Sequence, residues 1–209
     1  MNNFDLLIVG GGPAGLSCAL TLGSAESMSF VANKKIGIFL HSTHSDMHKA
    51  LFNNALGINT GTKGPDILEN GIKHLTENYP QIQPIFDAKV LKIEGTDGQF
   101  VITSEQGIFY TAKIVVAVTP RVNFDIQGLM DYVEPHSKMP PVKKFIQLRN
   151  EDHVVAPGIY VAGVLAGHRS MFAIAAGSGQ AVATDILTEW NNGIHTLAHD
   201  VLPSEKNKY

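Results

Sequence analysis

The run Phe4-Asp5-Leu6-Leu7-Ile8-Val9 ends on Gly10-Gly11-Gly12-Pro13-Ala14-Gly15. A short apolar run of this kind suits a strand buried on both faces, as in a parallel sheet. The glycines match G-x-G-x-x-G directly after a strand and at the opening of a helix, a context that gives the pattern its force. Gly10 allows a tight turn, Gly12 lets a pyrophosphate approach the backbone, and Gly15 lets helix and strand pack closely. Pro13 and Ala14 open the helix, whose free N–H groups and partial positive charge face the phosphates. Dinucleotide binding is therefore expected. A plain glycine-rich turn in an α/β protein is the alternative.

Composition narrows the setting. A chain of 209 residues suits one large domain. A net charge of −3 gives no general pull toward nucleic acid or anionic lipid. The single cysteine, Cys18, excludes an intrachain disulfide, a CxxC pair and a cysteine-rich zinc site. Met1–Val9 lacks a basic n-region and carries Asp5, so it reads as a strand and not a leader. No apolar run approaches the roughly 20 residues of a membrane span. A soluble cytoplasmic protein with no membrane and no nucleic-acid partner is expected.

Along the chain, the pattern predicts a helix from Pro13 to about Leu22 and a strand over Lys35–Leu40, which together with the first strand make a βαβ unit. Gly64-Pro65 opens a second helix that ends near Tyr79-Pro80. Ile82–Phe86 is another strand. Val90–Tyr110 alternates and is broken at Asp97-Gly98 and Gln106-Gly107, which predicts a meander of about three antiparallel strands. Lys113–Val118 and Ile159–Ala162 read as buried strands, and residues 119–152 as a connection with one short strand at Lys144–Leu148. A last helix is expected over Phe172 to about Trp190, then a frayed polar tail, 191–209. The fold class expected is α/β: a Rossmann-like dinucleotide-binding domain with a central parallel sheet and a β-meander layer.

The dinucleotide fingerprint calls for an acid at the end of the second strand, to bond the adenosine ribose. That strand ends Phe39-Leu40-His41-Ser42, so His41 stands in the acid's place. His41 or Ser42 offers a weaker, neutral partner.

Taken together, these segments resemble the thioredoxin reductase-like pyridine nucleotide–disulfide oxidoreductases. The matches are Asp5–Gly15; Asn54-Ala-Leu-Gly-Ile58 with Gly64-Pro-Asp-Ile-Leu68; the meander at 83–111 leading into Ala112–Ala117; Ala156-Pro-Gly-Ile-Tyr-Val-Ala-Gly163; and Ala175-Ala-Gly-Ser-Gly179. They span most of residues 4–190 in the family's order. In that family an NADPH domain, which carries the CxxC in thioredoxin reductase, is inserted between two halves of the FAD domain. The resemblance places that insertion near 119–125, where this chain passes almost directly to the second half. It implies a single FAD domain over 1–190, of the FAD/NAD(P)-binding Rossmann-like class, without NADPH domain or redox disulfide.

The resemblance also implies a cofactor site for FAD. Beside Gly10, Gly12, Pro13, Ala14 and Gly15 it would use His41 and Ser42 at the ribose, the backbone of Val90 at the adenine, Ala117, Gly163, Val164, Met171 and Phe172. Three of these depart from the family: His41 replaces an acid, Val164 the aspartate near the ribityl–phosphate region, and Met171 the glutamine near the isoalloxazine. At roughly 0.5–1.5 kcal/mol per lost hydrogen bond, the three cost about one to three powers of ten in affinity. No catalytic residue is identified. Electrons would come from a redox partner protein, or from NAD(P)H docking transiently where the missing domain leaves space. FAD domains in this family pair, which implies a homodimer. Two other classes stay open: a non-catalytic nucleotide-binding sensor, or a partner-dependent subunit on a degenerate FAD domain.

Other residues carry bland readings. His41, His44 and His48 have helical spacing that would suit a metal, against a polar loop beside the adenosine site; no metal is expected. Cys18 reads as a small core residue. His168 and Arg169 lie near the flavin ring's expected place, as proton shuttle or charge partner, or as exposed loop. Lys138, Lys143, Lys144 and Arg149 read as a solvated basic stretch.

Overall fold

The side chains of β1 (Asn3–Val9) alternate between two cores: Leu6 and Ile8 enter one, Leu7 and Val9 the other, and all four are buried. Such a strand needs a covering layer on each face. The computed structural model describes residues 2–41, 45–121 and 123–199. In chain order they form α1 (Pro13–Ser24), β2 (Ile36–Leu40), β3 (Leu51–Phe52), β4 (Thr62–Lys63), α2 (Gly64–Asn78), β5 (Ile82–Phe86), β6 (Val90–Thr96), β7 (Gln99–Ser104), β8 (Gly107–Val116), β9 (Val133–Pro135), β10 (Ile146–Leu148), β11 (Val154–Ala156), β12 (Ile159–Val161) and α3 (Phe172–Trp190).

The main sheet runs β11-β12-β8-β1-β2-β5; its neighbours are parallel except β11, which pairs antiparallel with β12. Against one face pack Leu16, Cys18 and Leu22 of α1, Leu75 of α2, and Val182, Ile186 and Leu187 of α3. Against the other pack Phe100 and Ile102 of the β6-β7-β8 meander, with Phe124, Ile126 and Leu129. This is the expected order of layers: helices, mainly parallel sheet, meander.

The two strands expected around Tyr110 and Lys113 are one. β8 runs unbroken from Gly107 to Val116: one edge pairs with β1, while the other serves β7 over Gly107–Thr111 and then β12 over Ile114–Val116. A strand stays continuous when its partners change along its length, and nothing local forces a break. The connection at 119–152 holds a hairpin, β9 with β10, where one short strand was expected. The tail also departs from expectation in its first part. Thr196 is buried, its N–H donates to Thr188 Oγ1 (3.1 Å), and Ala198 packs beside the helical core. Among the described residues, no helix is long and apolar enough to cross a membrane.

Candidate functional site

The parallel strands β1, β8 and β12 end together, and the chain after each lines one cleft of about 310 Å³: Gly12 after β1, Ala117 and Val118 after β8, Gly163 and Val164 after β12. This is where open α/β sheets bind ligands. The starts of α1 and α3 border the same cleft through Pro13, Ala14, Met171 and Phe172. Neither helix has a side-chain cap or an acid in its first turn. Two uncapped helix starts therefore bring free N–H groups and partial positive charge to one place.

The glycine loop divides its labour as the motif's physics requires. Gly10 has φ +120°, and a Cβ there would stand 2.5 Å from Ala117 O. A Cβ on Gly15 would stand 1.8 Å from Gly10 O, so this glycine lets α1 close onto the turn. Around Gly12 a Cβ would meet no protein atom within 4 Å. Gly10 and Gly15 thus build the turn from behind, and Gly12 faces the open cleft. The Ala175–Gly179 segment has a parallel role. The Ser178 hydroxyl oxygen accepts the Gly163 N–H (2.8 Å), and Gly179 is pressed against Ala14, whose O lies 1.9 Å from the position of a Cβ. These contacts fix α3, α1 and the turn after β12 relative to one another.

The opposite wall comes from residues 45–55, including Asp46, Met47, Leu51 and Phe52. Phe52 meets Phe172 edge to face, centroids 5.3 Å apart. No site residue in this wall is predicted from the sequence; its local signals are Asn54-Ala55, which open a family-like segment, and the start of the 3-10 turn Asp46–Lys49, where Ser45 and His48 form a capping box.

Of the expected site residues, Gly12, Pro13, Ala14, Ala117, Gly163, Val164, Met171 and Phe172 converge on the cleft. His41 is exposed at the end of β2, outside the lining. Val90 lies buried in the meander core, also outside the lining. Ser42 and His44 lie outside the described residues. His48 Nδ1 accepts the Ser45 N–H (3.1 Å), which gives this histidine a capping role. Cys18 is fully buried, and burial pushes its thiol far above the ordinary range. His168 is half-buried beside His153, and Arg169 is exposed.

No protein-family model matches the chain, and no curated protein matches it. Solved structures do. A thioredoxin reductase from Gloeobacter violaceus is 14% identical, with TM-score 0.69 over 97% of this chain and 99% of that chain. A ferredoxin-flavin thioredoxin reductase from Clostridium acetobutylicum is 17% identical, with TM-score 0.66 over 92% and 99%. An oxidoreductase from Agrobacterium tumefaciens is 14% identical, with TM-score 0.66 over 92% and 98%. At these identities the likeness speaks of architecture: the chain has the Rossmann-like fold of the thioredoxin reductases.

Proposed function

We propose that the chain is an FAD-binding oxidoreductase, built as one FAD domain over 1–190 without its own NADPH domain or redox disulfide. The observation that carries this reading is the cradle at Gly12. A Cβ there meets no protein atom, and two uncapped helix starts border the cleft in front of it. An anionic pyrophosphate fits that combination, because backbone N–H groups and the helix dipoles act together on it. The segment near 119–125 supports the single-domain reading, since Phe124 and Ile126 turn directly into the meander core.

When bound, FAD supplies the electron-transfer chemistry. The chain's residues bind and orient it. Backbone at Gly12–Gly15 would hold the pyrophosphate, and His41 and Ser42 would be the neutral partners available to the ribose. The backbone near Val90 would serve the adenine. Met171 and Phe172 would cover the flavin ring and exclude water, and the start of α3 would offset the negative charge of the reduced flavin. Electrons come from a redox partner protein, with NAD(P)H as a transient donor the second option. A homodimer and a cytoplasmic setting complete the reading.

The visible spectrum of freshly purified protein tests it. A yellow protein that releases FAD on heating is the expected result; a colourless protein that FAD does not reconstitute overturns it. In the latter case Val164 favours the second reading, a nucleotide-binding sensor or partner-dependent subunit. It lines the cleft without a carboxylate to grip a ribityl chain. Anaerobic mixing with NADPH or NADH separates a direct nicotinamide donor, which bleaches the flavin, from a protein donor.

A further inference from the structure

Three histidines from three separate segments meet behind the turn after β12. His136 is buried after β9; its Nε2 lies 3.1 Å from both Val164 O and His168 O. Its Nδ1 accepts the Lys138 N–H at 3.1 Å. That backbone donor fixes the tautomer: Nδ1 must be bare, so Nε2 carries the proton and donates to the two carbonyls. His153 Nδ1 donates to Val161 O at 2.8 Å, which leaves its Nε2 to accept from His168 Nε2 at 3.4 Å. Every bond in this set is made by a neutral ring. A second proton on His136 would point at the Lys138 N–H, and one on His153 would point at the His168 N–H.

The two carbonyls that His136 holds belong to the segment that lines the cleft: Gly163 and Val164 form its lining, and Ser170 and Met171 continue it. We propose that His136 is a positioning residue for the cleft. Its neutral ring, backed by the His168–His153 contact, clasps the turn from Val164 to His168 in the shape that receives the ligand, so that ligand affinity falls when this cluster takes up protons. The proposal rests on the reading of the cleft as an FAD site.

The surroundings set its sign. Burial first, then the charge of Lys138 and the charges that His153 and His136 would carry if protonated, lower the pKa of His168 below its ordinary 6.5. Burial, then the Asp152 charge, raise the pKa of Asp185 on α3 against a smaller opposing pull from His153. The Phe145 ring stands edge-on to His136, at 6.4 Å between centroids. A histidine whose folded pKa is lowered binds fewer protons folded than unfolded near neutrality. The contact that neutral His168 makes with His153 is intact above 6.5 and weakens as pH falls, and the clasp at His136 then loses that backing.

The test compares His136→Leu with His136→Gln. Glutamine can donate to the two carbonyls and accept from Lys138 N–H, but does not titrate. FAD dissociation constants are measured by fluorescence from about pH 7.5 to about pH 5.5, the histidine range. Wild type is expected to weaken about tenfold on acidification, and the leucine variant to be about tenfold weaker throughout, as one lost buried hydrogen-bonding group implies. The glutamine variant should bind within about threefold of wild type. Amide hydrogen exchange at 164–168 in the FAD-free protein gives a readout that needs no flavin. It should quicken in the leucine variant and, after correction for intrinsic rates, in wild type at low pH. Unchanged exchange in both cases overturns the positioning role, and so does a glutamine variant that binds FAD as weakly as the leucine variant. Failure of wild type to bind FAD overturns the FAD reading alone, and the exchange data then decide the clasp.

Discussion

Arg121 Nη2 lies 2.5 Å from Asp46 Oδ1, joining the segment after β8 to the opposite wall of the cleft. The guanidinium also stacks 4.2 Å over the Phe145 ring, which fixes it on the β9–β10 hairpin. The pair is solvent-exposed, 39% and 55% at the two side chains, so its electrostatic worth is small. Replacing Arg121 with Ala should lower unfolding free energy by about 1 kcal/mol, most of it from the lost stacking. Urea denaturation of R121A beside Asp46→Asn checks this: the asparagine variant, which keeps the stack, should lose less.

The glycine loop separates folding from binding. Gly15→Ala sets a Cβ 1.8 Å from Gly10 O, and Gly10→Ala adds a contact of 2.5 Å to Ala117 O at φ +120°. Each should cost about 3 kcal/mol, from overpacking and, at Gly10, backbone strain. Gly12→Ala meets no protein atom, and φ there is −78°, which alanine adopts freely. Its thermal midpoint should stay within a few degrees of wild type (about 1 kcal/mol at most), while FAD affinity drops at least about tenfold. Equal affinity in G12A would show that no phosphate approaches this backbone.

At the far end of the sheet, Lys113 is buried on β8 and donates to Glu189 Oε1 (2.5 Å), while Tyr160 OH donates to Glu189 Oε2 (2.5 Å). Burial opposes ionisation of Glu189. The hydrogen bonds from Lys113 and Tyr160 and the Lys113 charge outweigh it and hold the carboxyl below its ordinary 4.5. Burial, then the Glu189 hydrogen bond and charge, push the Tyr160 hydroxyl far up. A depressed carboxyl contributes stability above its unfolded pKa and loses it as pH falls through the folded one. Glu189→Gln should therefore be less stable than wild type at neutral pH, by about 1–3 kcal/mol for the buried Lys113 left with Asp97 at 3.5 Å. The gap should narrow below pH 4.5, as measured by urea denaturation at several pH values.

Cys18 has no exposed surface and a thiol held protonated by burial. A thiol reagent should leave the native protein unmodified and titrate one thiol only after denaturation. Cys18→Ala should cost about 1 kcal/mol, in keeping with a small core side chain. Fast labelling of the native protein would contradict this packing.

Local pattern alone determined the parallel strands, the three helices and the glycine turn, because each carries its signal within a few residues. Leu6 to Val9 are apolar without a break since both faces are covered, and Gly10 and Gly15 stand where backbone approaches backbone. The Ala175–Gly179 segment was legible as a motif, but only the structure revealed why it is small: Gly179 presses on Ala14, and Ser178 holds Gly163. Tertiary structure decided what depends on partners distant in sequence. β8 became one strand because β7 and β12 share its edge, and the three-residue strands β9 and β11 exist only through their pairing with β10 and β12. Asp46 and Arg121 are 75 residues apart, and His136 and His168 are 32 apart. No periodicity records such meetings, because hydrogen bonds and ion pairs between loops follow from where the sheet delivers its strand ends.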